Sequence, residues 1–223
     1  MTDAAVEPSA RTEAPRVALA VLDRIRLVVL VWYLTWVPFM VLERRGAATV
    51  TLLALATYAC CCGLVLIDLG RWRRLGQPAG DAAEVARRAA WAALATSAAA
   101  FLGAPVLLGL DPGSRAVAAL GAFLDVCLIA SRVATVACGW AFLMSVGRRA
   151  VELGQPGVAF RARMAVVFGL TATILYVVAV VGAASPDVVV YVFLLATLGV
   201  IFFFLATARL QVALRQGGAS DGG

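Results

Sequence analysis

Two charged residues stand inside one long apolar run, and they are the first candidates for chemistry. Asp125 and Arg132 are seven residues apart. That is about two turns of an α-helix, so both fall on one face. Thr135 and Gly139 continue the stripe. A charged side chain at the centre of a membrane helix costs about 2.5–3.5 kcal/mol on the insertion scale. Such residues mark functional sites by default. Asp125, Arg132 and Thr135 therefore form a candidate intramembrane polar site. A purely structural role is the competing reading. Counting back about 20 residues from Arg148 and Arg149 reaches Leu128. Asp125 then sits at headgroup level, and Arg132 reaches back toward it or toward lipid phosphate.

Other chemistries are thinly represented. The 223 residues include no lysine, histidine or asparagine, and all 19 basic residues are arginine. With the alanine and glycine content, this reads as the bias of a GC-rich bacterial genome. Without histidine the chain lacks the usual general base, haem ligand and zinc ligand. No nucleotide-binding, zinc-protease or acidic metal motif is present. The expectation is no catalytic residue, no cofactor and no metal. Cys60, Cys61, Cys62, Cys127 and Cys138 all lie in apolar runs. They read as free, membrane-buried thiols packing as small hydrophobes. Asp68, beside Arg71 and Trp72, reads as one side of an interfacial salt bridge.

These residues need a membrane scaffold to hold them. The chain is 63% hydrophobic and only 14% charged, with a mean hydropathy of +0.94. Six apolar runs follow a polar start: Leu27–Leu42 (extendable back to Val17), Ala47–Leu69, Ala89–Leu110, Ala116–Val146, Met164–Ala184 and Val188–Ala208. Most have the length of a bilayer span, and helices satisfy the backbone there. The expected fold is all-α, a polytopic six-transmembrane-helix bundle over 17–215. Residues 1–16 read as a disordered cytoplasmic tail, and 216–223 as a second one. Of the 19 arginines, 15 fall before, between or after the runs on one alternating side. The other side has Arg44, Arg45 and Arg115. The positive-inside rule puts both termini in the cytoplasm and the protein in the inner (plasma) membrane. Its partners are then the lipid bilayer and a membrane-protein partner or a second copy. The net charge of +6 belongs to helix ends and lipid headgroups rather than to nucleic acid.

An internal repeat is visible. Residues Ala56–Pro78 align without gaps on Ala134–Pro156, sharing Ala-Thr, Ala-Cys, one arginine and Leu-Gly-Gln-Pro. The pattern predicts that helices two and three copy helices four and five as two-helix hairpins, with a fainter third hairpin from helices six and one. Leu-Gly-Gln-Pro reads as a helix stop: glycine for the left-handed cap, then proline. Pro38 and Pro105 are candidate kinks. The small residues of helix three suit close packing, and Phe202, Phe203 and Phe204 suit a lipid-facing position.

The leading functional expectation is a non-enzymatic scaffold or subunit of a membrane complex. The alternative is a small transporter or channel component using a polar pocket at Asp125, Arg132 and Thr135. A membrane enzyme ranks third. A solvent-reachable cavity at Arg132 favours transport.

Overall fold

The computed structural model describes residues 8–42, 48–74, 80–111, 114–181 and 186–220. Six helices fill them: α1 Pro8–Leu42, α2 Ala48–Arg73, α3 Gly80–Leu108, α4 Arg115–Glu152, α5 Pro156–Val181 and α6 Pro186–Ser220. Among the described residues there is no strand. Five helices, α2 to α6, are long and apolar enough to cross a membrane. The described part of α1 carries Asp23, Arg24 and Arg26 close together, which lowers its apolar character. The outside of the bundle is greasy: Leu64, Ile67, Leu102, Val126, Phe160 and Ile174 are all more than half exposed. Such a surface suits lipid and not water. The chain is a multi-pass, membrane-embedded helical protein.

Each helix packs on its sequence neighbours, and α1 closes the ring on α6. Neighbours run antiparallel, so one end of the ring gathers most of the arginines. Arg24 meets Asp68 there at 3.8 Å, and Arg73 meets Glu84 at 3.1 Å. The helices overrun the apolar runs at this end. α3 begins at Gly80, α5 at Pro156, and α6 continues to Ser220. α1 likewise starts at Pro8, inside the stretch 1–16 read as a tail. The rest of that stretch, and 221–223, lie outside the described residues. Hydropathy marks the bilayer, whereas a helix continues while its backbone bonds and packing continue. Ala83, Ala86, Ala150, Val158, Leu210 and Leu214 are buried in these extensions and belong to one core cluster that continues into the apolar runs at Leu66, Phe142 and Phe203.

Small residues let the helices approach. Ala83, Ala86, Ala90, Ala93, Ser97 and Ala100 run down one face of α3, none more than 2% exposed. Their three- and four-residue spacing makes a continuous close-packing stripe. Gly199 of α6 faces α5 so closely that an added Cβ would lie 3.3 Å from the Gly169 nitrogen. The stop signal is realised after α4. Gly154 has φ +68°, its N–H donates to Val151 O, and the Gln155 N–H donates to Ala150 O. This pairing is a Schellman cap, and Pro156 then opens α5. The first Leu-Gly-Gln-Pro copy lies outside the described residues, as do Arg44 and Arg45. At the other end of α4, Ser114 caps the helix by accepting the Val117 N–H.

One expectation needs correction: of the phenylalanine triplet of α6, Phe203 does not face lipid. Phe203 is buried between Phe142 and Phe204, and Phe202 stacks on Phe168 at 5.5 Å between ring centres. Phe203 fills the interior of the ring, while Phe202 and Phe204 flank it half-buried, because successive helix residues point in different directions. The five cysteines are free: Cys60 lies on the apolar outside of α2, within its membrane-capable stretch, and the other four are buried among the helices. Three consecutive residues point in three directions around a helix, so Cys60, Cys61 and Cys62 cannot all face in.

Candidate functional site

The ring surrounds a half-open cavity of about 340 Å³, lined by residues of all six helices. This lies at the lower end of the roughly 300–1,000 Å³ usual for ligand pockets. On α4 its wall runs from Leu128 to Leu143. Toward the arginine-rich end, the interior closes on aromatic rings. Phe142 packs edge-on against Trp72 at 5.7 Å and meets Phe203 at 6.3 Å across the ring. Trp72 is fixed by its indole N–H, which donates to Ser145 Oγ at 3.0 Å. Ser145 in turn donates to Phe142 O at 2.7 Å. The buried Trp72 N–H and Ser145 hydroxyl are thus both satisfied.

Polar groups gather farther from that floor. The Tyr58 hydroxyl stands within hydrogen-bonding reach of Thr135 Oγ1 and, at 3.1 Å, of Ser131 O, joining α2 to α4. The Tyr33 hydroxyl meets Thr197 Oγ1 at 2.6 Å, joining α1 to α6. Tyr33 and Tyr58 stand roughly 15 Å along their helices from the Arg24–Asp68 pair, at 1.5 Å per residue. Arg132 lies in the same band. Its guanidinium stands 4.5 Å from the centre of the Tyr176 ring on α5. A cation over an aromatic face gains about 0.5–2 kcal/mol, most when desolvated. Among the described lining residues Arg132 is the one charged side chain.

The three candidate residues are therefore divided. Arg132 and Thr135 line the cavity together. Asp125 is exposed and is not part of the lining, which on α4 begins one turn farther in at Leu128. A seven-residue spacing gave Asp125 and Arg132 a common face, but the cavity does not reach as far as Asp125. Tyr58, Tyr176, Tyr33 and Thr197 were not legible as site residues. Their partners lie on other helices, and a tyrosine in an apolar run also suits an interface anchor.

The arginine-rich end carries a second polar group. Asp68 is only 3% exposed, between Arg24 at 3.8 Å and Arg71 at 3.7 Å. The expected salt bridge is present, with the carboxylate buried and both arginines about half exposed, and it draws in α1. Gln211 of α6 donates to Asp23 at 2.7 Å and accepts from Arg26 at 2.9 Å. Arg26 also stands 5.2 Å from the Phe204 ring centre. One short segment of α1 is thus tied to both α2 and α6. Glu84 gathers Arg73, Arg87 and Arg88 within 3.2 Å at the rim.

The cavity hydroxyls have partners within the protein. Ser131 donates to Ala93 O, Thr135 to Ser131 O and Thr173 to Gly169 O. Cys61, Cys62 and Cys138 also line the wall. Among the described residues no group of three or more His, Cys, Asp or Glu is placed to hold a metal. The arrangement can enclose an apolar body and present one cation to it. A scan against protein-family models, a search of curated proteins and a search of solved structures each return no match.

Proposed function

We propose that this chain is a non-enzymatic membrane protein that holds a largely apolar molecule inside its helical ring, as a small transporter or carrier component. The cavity of about 340 Å³ lined by Arg132 and Thr135 carries this reading. A scaffold needs no interior space, and close-packed helices without a void are the more stable choice. The hydroxyls on the wall bond to backbone carbonyls or to each other, which suits holding better than proton transfer. The test is photolabelling in nanodiscs with a small neutral diazirine. Labelling at Val29, Val136 and Val200 on the wall is expected beside labelling at lipid-facing Leu64 and Ile174. Gly139→Leu should remove the first set and spare the second. Gly139 lines the cavity, and a Cβ there meets nothing within 4 Å. Wall residues that stay unlabelled in the parent protein would dismiss the proposal.

The wider setting belongs to the same proposal. α1 is taken as a sixth span, with both termini in the cytoplasm of a bacterial inner membrane. The arginine asymmetry supports this, as does the antiparallel packing of α1 on α2. Reporter fusions at Gly113 and at the C-terminus should read opposite sides. The hairpin duplication is supported by Thr57 and Thr135, paired in the alignment, which both line the cavity. One observation favours the scaffold alternative. Asp125 is exposed on a membrane-spanning helix, where a cationic partner helix or a second copy would meet it. Loss of a co-purifying membrane protein on Asp125→Asn, with wall photolabelling intact, would support that alternative.

A further inference from the structure

We infer that Cys62 and Cys138 form a two-thiolate site for a soft, two-coordinate metal cation on the cavity wall. This goes beyond the proposed function and does not depend on an apolar molecule being held. Register carries it first. α2 and α4 run parallel: Tyr58 lies beside Ser131 and Thr135, and Trp72, farther along α2, lies beside Ser145, farther along α4. These cross-helix pairs are 73 or 77 positions apart in the chain. The separation of Cys62 and Cys138 falls between those values, so the two stand at one level between the bridges. They also share the bridging faces. Cys62 is one turn past Tyr58, and Cys138 is about one turn past Thr135. Both thiols are buried and free, and both residues line the cavity. They are near enough to interact electrostatically.

Distance then selects the chemistry. Among the described residues, no Cα of α2 comes within 8 Å of a Cα of α4. A disulfide needs about 4.4–6.8 Å between Cα atoms, so these thiols cannot join directly without a helix moving. An ion between the sulfurs widens the span. Two metal–thiolate bonds of about 2.3 Å replace one S–S bond of about 2.05 Å, which brings Cα separations above 8 Å into range. Ala90 and Ala93 of α3, both buried, line the same wall and leave room for the ion. The ligand set decides its class. Structural zinc takes four protein ligands and hard cations take six or more oxygens, and among the described residues no group of three or more His, Cys, Asp or Glu is placed to hold a metal. Soft cations with a filled d shell, such as Cu(I), Ag(I) and Hg(II), accept two thiolates in a line. Binding forms two metal–sulfur bonds and releases the two thiol protons to water. With Hg(II) the product is neutral, whereas Cu(I) or Ag(I) leaves one negative charge. The neutral product costs least in an apolar wall, so the divalent soft ion is preferred.

The experiment uses the full chain in detergent, carrying Cys60→Ala, Cys61→Ala and Cys127→Ala so that only the pair remains. Cys62→Ala or Cys138→Ala is then added. The probe is Hg(II) chloride in an excess of glutathione, against which only a chelating pair keeps the ion. The two-thiol chain should retain one Hg(II) per chain and melt at a higher temperature with it than without. Loss of either cysteine should lower retention roughly 10²–10⁴-fold, the worth of a second ligand held in place. Methylmercury takes one thiolate, so the same loss should lower its binding no more than about twofold. If the triple background proves unstable, the otherwise unaltered chain decides: Cys62→Ala should lose the ion and Cys61→Ala should keep it. Zn(II) should not be retained, and a mild oxidant should not join Cys62 to Cys138. Retention that survives loss of either cysteine, half an ion per chain, equal loss of both mercury probes, retention of Zn(II), or a disulfide that forms readily between Cys62 and Cys138 overturns the inference.

Discussion

The same six helices pack in two ways along their length. Toward the arginine-rich end, Leu22, Leu69, Val146 and Leu210 have no exposed surface, and 23 buried apolar residues form one cluster. Toward the opposite end, the described buried cluster shrinks to Leu55, Ala100 and Cys127, with Ala99, Phe101 and Leu128 beside it. Between the two lies the cavity. Small residues allow close contact where the helices overrun the apolar runs, and α4 meets α6 across the ring through Phe142 and Phe203. Past that contact, larger and more polar side chains hold the helices at a distance. Tyrosine pairs cross the gaps there: Tyr33 with Thr197, and Tyr58 with Thr135. One end is a rigid base, and the other is a frame around a space. A binding membrane protein needs both, since a site stays shaped only when its supports do not move.

This contrast is open to measurement by unfolding in detergent, and the largest effect belongs to the base. Leu69→Ala or Leu210→Ala should lower stability by about 2–5 kcal/mol, the range for truncating a fully buried leucine. Leu128→Ala on the cavity wall should lose less than half as much, because that side chain already faces open space. Equal losses at the two ends would erase the distinction.

Next in size is filling rather than emptying. Gly199→Leu should destabilise by about 1–3 kcal/mol, because the backbone of α5 blocks the new side chain and cannot yield. Gly139→Leu should stay within about 0.5 kcal/mol of the parent. A destabilised Gly139→Leu would mean that the cavity is closed in the membrane.

A smaller loss is expected at Trp72→Phe. The ring packing against Phe142 is largely kept, while the bond to Ser145 Oγ is removed. About 0.5–1.5 kcal/mol should be lost, and Ser145→Ala in the same background should add little. Strict additivity of the two would show that the bond does not form.

The smallest effect is predicted for Asp68→Asn. Burial of the carboxylate opposes its attraction to Arg24 and Arg71, and such balances often come out near zero. Removing both arginines instead leaves the buried carboxylate uncompensated and should lower stability clearly. A large loss from Asp68→Asn would show that the ion pairs, and not the apolar packing, hold α1 to the ring.

Chain order and apolar runs were enough to find the helices, because a membrane span must be long and apolar and must satisfy its backbone internally. The stop after α4 was also legible, since only glycine tolerates the φ of +68° found at Gly154 at little strain. Arg132 and Thr135 were legible as site residues, because a polar group in an apolar run stands out and helical spacing puts the two on neighbouring faces. The inward position of Phe203 was not, nor were Tyr58 and Tyr176 as partners of Thr135 and Arg132. An apolar side chain is equally suited to lipid and to a bundle interior, so hydropathy carries no sign for facing in or out. Which side faces in is decided when α1 closes on α6. That closure pairs residues as far apart as Asp23 and Gln211. It also separates Asp125, which shares a helix face with Arg132, from the cavity that Arg132 lines.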